Sequence, residues 1–302
     1  MRQSGKAYFQ RALDSFFRRR NHFYLTFQRD FSGSPYFPSD SQKTFYEKSV
    51  DSILQSPINF WRFRRTYNYR EIVETVTYSQ GKEYICRIKQ LDPKFNFEFF
   101  KQIRNDEVGL PILFNFSEVK NISPTTLRYL SVALEIQSLF GPNLTGKMVE
   151  IGAGYGGQTS IMKKFFNFDY YGIFDLPSVQ TLITRYLQKA SNLTGVHMLS
   201  LAEEIPHRFD FALSNYAFSE LPSELQIKYA SQVLSKAKRG YLIMNSGKDD
   251  TLGRSAGKLT ISELQEWLPK FEIFTEIPLT SPDNYVIAWG HISQLKKNLA
   301  IE

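Results

Sequence analysis

Val149-Glu150-Ile151-Gly152-Ala153-Gly154-Tyr155-Gly156-Gly157 is the stretch on which the fold turns. An apolar run ends in closely spaced glycines, and a helical pattern follows. Glycine reaches backbone angles closed to other residues, and it lets a ligand approach the main chain where a side chain would block it. In an open parallel sheet such a turn lies over the C-terminal edge of the strands, which is where ligands bind.

Outward from this turn, strand and helix signals alternate. Ser123-Pro124 opens the helix that precedes it, because serine caps and proline's missing N–H costs nothing at the first helical position. Leu127, Leu130, Ala133 and Leu134 then recur at helical spacing until Gly141-Pro142. Strands are expected at 147–151, 169–174, 196–199, 209–214, 240–245, 271–278 and 284–289. Helices are expected at 156–166, 178–190, 223–236 and 261–268, the last behind the capping box Thr260-Ile261-Ser262-Glu263. This alternation implies βαβ units in a mainly parallel sheet of seven strands, an α/β doubly wound architecture. Only a turn separates the last two strands, so they must pair antiparallel.

The chain before Ser123 reads differently. Residues 1–30 suggest a helix carrying Arg18-Arg19-Arg20, broken by Ser-Gly-Ser-Pro-Tyr-Phe-Pro-Ser within 31–40, and Pro57 interrupts 51–61. Residues 70–89 fit either a helix or a hairpin turning at Gly81, and a short aromatic helix is expected at 95–103. Residues 1–122 therefore form a basic, aromatic-rich, mostly helical region assigned to acceptor selection or self-association as a homo-oligomer. Residues 123–302 form the ligand-binding domain.

The glycine motif satisfies two patterns. Gly152-x-Gly154-x-x-Gly157 is a nominal dinucleotide fingerprint, and Glu150-x-Gly152-x-Gly154-x-Gly156 is the acid-headed pattern of class I methyltransferases. The second fits better. A carboxylate at the strand end matches a cationic sulfonium with a free amino group rather than a pyrophosphate, and the antiparallel ending belongs to the methyltransferase variant of the fold. Asp175, 23 residues after Gly152, is spaced to accept hydrogen bonds from ribose hydroxyls, with capping of the next helix as its alternative role. The loop Ser200-Leu201-Ala202-Glu203 would wall the adenine through Leu201 and Ala202. Asn215 and Tyr216, beyond the fourth strand, would face the methyl group.

Glu150-Ile-Gly-Ala-Gly-Tyr-Gly-Gly-Gln158, Asp175-Leu-Pro177, Ser214-Asn-Tyr-Ala-Phe-Ser-Glu220-Leu221 and Ser123-Pro-Thr-Thr-Leu-Arg-Tyr129 together resemble the sugar O-methyltransferases of bacterial polysaccharide gene clusters. The resemblance spans about residues 92–290 and leaves the first ninety unmatched. It implies a Rossmann-like methyltransferase fold, S-adenosyl-L-methionine as cofactor and a sugar hydroxyl as acceptor. On the matching positions it implies a cofactor site built from Arg128, Glu150, Gly152, Ala153, Gly154, Tyr155, Gly156, Gln158, Asp175, Leu176, Leu201, Ala202, Asn215 and Tyr216. A sugar hydroxyl is a poor nucleophile and benefits from a general base. Glu220 is the candidate, its alternative role being charge at the start of the next helix.

Composition bounds the rest. At 42% hydrophobic and 15% aromatic the 302-residue chain can bury a core, which excludes global disorder. The first 120 residues hold 20 of the 37 basic and 13 of the 30 acidic side chains, so the whole net charge of +7 lies there. That field favours an anionic partner. A small-molecule or glycan acceptor is expected. A nucleic-acid methyltransferase without a recognisable RNA-binding module, and a non-catalytic cofactor-binding assembly protein, are the alternatives. With Cys86 the sole cysteine no internal disulfide can form, and with no signal peptide or membrane span the expected address is the cytoplasm. His197 is expected in the core; His291, after the last strand, could reach the acceptor pocket, though a lone histidine there is more often structural. Asp249-Asp250 could hold magnesium, but no metal is expected.

Overall fold

The computed structural model describes residues 45–206, 208–245, 257–282 and 284–292. The expected N-terminal helix, His22, His207 and Asp249-Asp250 lie outside them. Internal contacts divide the chain into Met1–Phe45 and Tyr46–Glu302, and the second unit is described here.

The segment ahead of Ser123 is helical, with α1 (Phe45–Leu54), α2 (Pro57–Trp61), α3 (Tyr67–Val73) and α4 (Tyr78–Leu91). Ser56 caps α2, its Oγ accepting the Ile58 N–H at 3.2 Å. A reciprocal capping box between Thr77 and Gln80 starts α4 and resolves the ambiguity at Gly81 in favour of a helix. Gly81 is there for packing rather than for a turn, since a Cβ at that position would meet the Phe116 ring at 2.7 Å. The aromatic helix expected at 95–103 is a shorter 3-10 turn, Phe97–Gln102.

Then follow α5 (Pro124–Phe140), β1 (Thr145–Ile151), α6 (Gly157–Phe165), β2 (Asn167–Phe174), α7 (Pro177–Ala190), β3 (Val196–Leu199), β4 (Phe211–Asn215), α8 (Ala217–Glu220), α9 (Ser223–Gln232), β5 (Gly240–Met244), α10 (Ile261–Trp267), β6 (Phe271–Thr275) and β7 (Tyr285–Trp289). As expected, Ser123 caps α5 and Thr260 with Glu263 caps α10. The seven strands form one sheet in the order β3-β2-β1-β4-β5-β7-β6. The first five run parallel, and β7 runs antiparallel between β5 and β6. This is the doubly wound, mainly parallel seven-stranded architecture with an antiparallel ending anticipated from the sequence. The expected strand at 209–214 starts two residues late, because Phe209 makes only an isolated bridge to Ala237. The sixth strand stops at Thr275, and the following Glu276 turns inward as a hydrogen-bond acceptor.

Chain order places a switch point between β1 and β4. The chain leaves β1 towards β2 and β3, then returns to lay β4 on the other side of β1, and in sheets of this kind ligands bind outside the strand ends at that point. Val149, Ile151, Leu242 and Ile287 join the core that also takes Leu234, Leu264 and Leu268. A second apolar cluster joins α4 to α5 through Ile85, Ile88, Leu127, Leu130 and Leu134. Among the described residues no helix is long and apolar enough to cross a membrane.

One buried ion pair locks the helical segment to the sheet. Arg87 on α4 meets Glu135 on α5 at 3.0 Å, and Tyr241 of β5 donates to the same carboxylate at 3.0 Å. Removing one member strands a buried charge, whereas removing both does not. Arg87→Leu should lower the free energy of urea unfolding by about 3–5 kcal/mol, and the double variant Arg87→Leu/Glu135→Leu should recover part of that loss.

Candidate functional site

The glycine turn crosses the start of α8 at van der Waals distance. Gly152 has φ +75°, and a Cβ on it would stand 2.0 Å from the Ala217 Cβ, so no other residue fits. At Gly154 (φ +61°) an added methyl would meet, among the described residues, only Val73, at 3.9 Å. The turn is thus clamped on one side and accessible on the other. Gly152 N–H donates to the Phe174 carbonyl at 2.9 Å, holding the ends of β1 and β2 level. Ala153 and Gly156 are buried, so they can serve a ligand mainly through their backbone.

Asp175 follows directly on β2 and is half-buried beside this turn. Its Oδ1 accepts the Leu176 N–H at 2.8 Å. Burial raises its pKa to about 7, against the lowering effect of the Leu176, Gly154 and Ala153 amides. It makes no side-chain cap on α7, so the capping alternative does not describe it. Leu176 is half-buried in the same corner. Leu201 and Ala202 sit in the turn after β3, Leu201 half-buried and Ala202 exposed, two strands away from the glycines.

The side chains of three expected contact residues turn into the protein. Glu150 is 1% exposed, and its carboxylate turns into the protein, where Oε2 accepts from Thr159 Oγ1 at 2.7 Å and Tyr171 OH at 2.6 Å. Position 150 lies one residue short of the strand end, and β-strand alternation sends its side chain to the α6 face. The Tyr155 ring is fully buried between Phe63, Tyr129 and Tyr186, and its hydroxyl donates to Glu74 at 3.0 Å. Gln158 is 2% exposed and uses both ends of its amide internally, donating to the Tyr129 carbonyl and accepting from Asn215 Nδ2, each at 3.1 Å. All three side chains brace the turn from within.

On the other side of β1, Asn215 and Tyr216 end β4. Tyr216 holds the left-handed φ of +68°, an uncommon conformation for a residue with a side chain and one that tends to mark functional turns. Its hydroxyl donates to Glu276, a carboxylate that also accepts from the Thr280 N–H and Asn284 Nδ2, both at 2.9 Å. Arg128, in the first turns of α5, lies over the rings of Tyr129 (5.4 Å) and Tyr216 (5.7 Å).

Glu220 closes α8 and is half-buried. Its Oε1 accepts from Asn245 Nδ2 at 2.9 Å, and α9 begins three residues further on. Burial raises its pKa, opposed by Asn245 and by Lys258. Lys258, 6% exposed, donates to the backbone carbonyls of Glu220 and of Leu221, the latter at 3.0 Å. Burial lowers its pKa to about 8. His197 is exposed rather than core and stacks on Tyr170 at 4.2 Å. His291 stands at the far edge of the sheet, because β7 runs backwards and Trp289 pairs with the first residue of β5. No group of three or more metal-ligating side chains occurs among the described residues.

A buried cluster from the unmatched N-terminal segment also reaches this site. Arg64, fully buried, pairs with Glu74 at 2.6 Å and Asp106 at 3.2 Å. Glu74 also takes the Tyr155 hydroxyl and Ser123 Oγ, while Asn105 Nδ2 donates to the Gly157 carbonyl at 2.9 Å. In sequence Arg64 sits in Trp61-Arg62-Phe63-Arg64-Arg65, where no periodicity separates a buried arginine from its exposed neighbours.

No protein-family model matches the sequence, and no curated protein is significantly similar to it. Among solved structures it overlaps part of the mitomycin 7-O-methyltransferase MmcR (16% identity, 55% of this chain and 53% of that one, TM-score 0.41). It also overlaps the N-methyltransferase NodS from Bradyrhizobium japonicum in complex with S-adenosyl-L-homocysteine (14%, 68% and 96%, 0.39). A third is an O-methyltransferase family 2 protein from Planctomyces limnophilus in complex with apigenin (13%, 48% and 49%, 0.37). The matched part spans about half the length of the first and third. Overlaps of this extent assign neither activity nor substrate.

Burial pushes Glu150 up to about 7, against the two hydroxyls that favour its anion. A carboxylate raised in the folded state stabilises the fold fully at acid pH and loses that contribution as pH rises through the folded value. Glu150→Gln should therefore flatten the fall in melting temperature between about pH 5 and pH 8 that the parent chain shows. An unchanged slope in thermal scans would assign the titration elsewhere.

Proposed function

We propose that this chain transfers the methyl group of S-adenosyl-L-methionine to a hydroxyl oxygen of a small sugar or glycan acceptor. The observation that carries the reading is the pairing of the clamped glycine turn with the half-buried Asp175 carboxylate at the neighbouring strand end, at the switch point of a sheet in this order. Open space above Gly154 admits a nucleoside close to the main chain, and Asp175 can accept from two ribose hydroxyls while its other oxygen stays on Leu176. Leu176, Leu201 and Ala202 supply the wall for the base. Gly152, Ala153 and Gly156 shape the turn beneath. When bound, the cofactor supplies an electrophilic methyl on a sulfonium that departs as a neutral thioether.

The chain's own work is then positioning and proton transfer. An oriented acceptor converts a bimolecular displacement into an effectively unimolecular one. Glu220 takes the hydroxyl proton as the new carbon–oxygen bond forms, and Asn245 fixes one of its oxygens so that the other remains available. The raised pKa of Glu220 is what burial does to a carboxylate, and it brings the base closer to the pH at which it must both hold and release a proton. The excess of basic residues before position 120 supports an anionic acceptor, with residues 1–122 selecting it and residues 123–302 holding the cofactor.

Glu220→Gln should leave S-adenosyl-L-homocysteine affinity within twofold of the parent, measured calorimetrically, and slow methyl release at least tenfold, about the low end for loss of a general base. The acid limb of the rate, which rises with pH as the carboxylate ionises, should vanish with it. Asp175→Asn should do the reverse, weakening cofactor affinity about tenfold, the order of one charge-assisted hydrogen bond.

A further inference from the structure

Large apolar side chains on a protein surface are normally scattered singly, and a group of them marks a face that meets something else. The three most exposed among the described residues belong to one short stretch: Tyr67 (70%), Ile58 (64%) and Trp61 (59%). Ile58 and Trp61 stand three apart on α2 and so share its outer face. Phe60, Phe63 and Tyr69 of the same stretch are buried, with the Phe63 ring against the other two at 5.6 and 5.3 Å. The inward rings pin the backbone, and the outward side chains are presented from it in fixed positions. From Ser56 to Arg70 the sequence has four arginines and no acid. Arg64 and Arg70 meet carboxylates from outside that stretch. Arg62 and Arg65 are exposed, and among the described residues neither has a carboxylate within ion-pair distance. Arg65 donates to the Pro111 carbonyl at 3.4 Å, which brings the exposed Ile112 and Leu113 alongside.

The occupants such a face could take make different demands. A glycan or a nucleic acid uses guanidinium groups and ring faces but gains nothing from a protruding Ile58. A second copy of this chain, docking the same face on itself about a two-fold axis, sets Arg62 and Arg65 near their own counterparts. An anionic bilayer meets every feature. Aliphatic side chains enter the acyl boundary, Trp and Tyr rings settle at headgroup level, and guanidinium groups face lipid phosphates. We infer that Ile58, Trp61 and Tyr67, with Arg62 and Arg65, form a surface by which this chain docks on an anionic membrane, lying on it and not crossing it. α3 runs from Tyr67 at this surface to Val73 beside Gly154, about 9 Å along the helix axis, so docking holds the glycine turn close to the lipid. The inference names no reaction and stands whether or not the methyl-transfer reading does.

The test is co-sedimentation of the full chain with vesicles of equal parts phosphatidylglycerol and phosphatidylcholine, against vesicles of phosphatidylcholine alone. The mixed vesicles should bind at least tenfold more tightly. Tryptophan emission should move to shorter wavelength on binding, a shift that Trp61→Phe removes. Ile58→Ser/Trp61→Ser should weaken binding at least tenfold and leave the melting temperature unchanged, as expected of exposed side chains. Arg62→Gln/Arg65→Gln should weaken it about fivefold for each charge lost and flatten its dependence on salt. No binding of the parent chain to the mixed vesicles overturns the inference. So does binding that Ile58→Ser/Trp61→Ser leaves undiminished, which assigns the attachment to another part of the chain. Self-association that the same variant abolishes, or retention on RNA or an anionic glycan, either one without vesicle binding, gives the surface to that partner and overturns it too.

Discussion

The contact between Gly152 and Ala217 is the constraint on which the rest of the site depends. At this crossing the turn after β1 lies against the first residue of α8 with no room for a methyl group. A doubly wound sheet forces the turns after β1 and β4 apart in sequence by some sixty residues and together in space. Asp175 follows the end of the adjacent strand, and Asn215 and Tyr216 follow the end of β4, so this contact holds the loops that carry them at a single height. The left-handed Tyr216 belongs to the same constraint. The chain must leave β4 sharply enough to put Ala217 under Gly152, and the bond from Tyr216 to Glu276 holds the ring in the resulting position.

The helical segment ahead of Ser123 is built into this geometry. Arg64 sits between Glu74 and Asp106, and Glu74 in turn receives the hydroxyl of Tyr155, the one large side chain of the glycine turn. Buried ion pairs give little net stability, because desolvation offsets their attraction, but they define geometry when each remaining lone pair is occupied. Glu74 has Arg64 and Tyr155 on one oxygen and Ser123 on the other, so the start of α5, the end of α3 and the glycine turn are indexed to one carboxylate. A separate substrate module attached by a linker would not reach so far into a cofactor turn.

The architecture was legible because its signals are local. Strand-glycine-helix at 149–157, Ser123-Pro124 at the head of α5 and the capping box at Thr260 each depend on a few adjacent residues, and each of these elements lies where expected to within a residue or two. Glu150, Tyr155 and Gln158 were legible as members of the motif but not as side chains. Whether a residue one position from a strand end faces a cleft or a helix is settled by the pleat and by what packs above, here Thr159 and Tyr171. Arg64, Glu74 and Glu276 left no trace in the sequence, since each has a partner from another element, up to 81 residues away. His291 was misplaced for a simpler reason: antiparallel pairing carries the end of β7 back to the starting edge of the sheet.

The acid at the head of the glycine pattern shows why a motif and a mechanism need not share a cause. A cation-binding role for Glu150 and a packing role for it both call for a carboxylate at the same position, and sequence alone does not separate them. Geometry does. A carboxylate that accepts from two buried hydroxyls and is closed off from solvent holds β1, β2 and α6 in register, and its protonation state then bears on stability more than on affinity. A protein can hold a buried guanidinium without a counter-ion only where its cost is offset by packing, as on the faces of Tyr129 and Tyr216, or by a ligand.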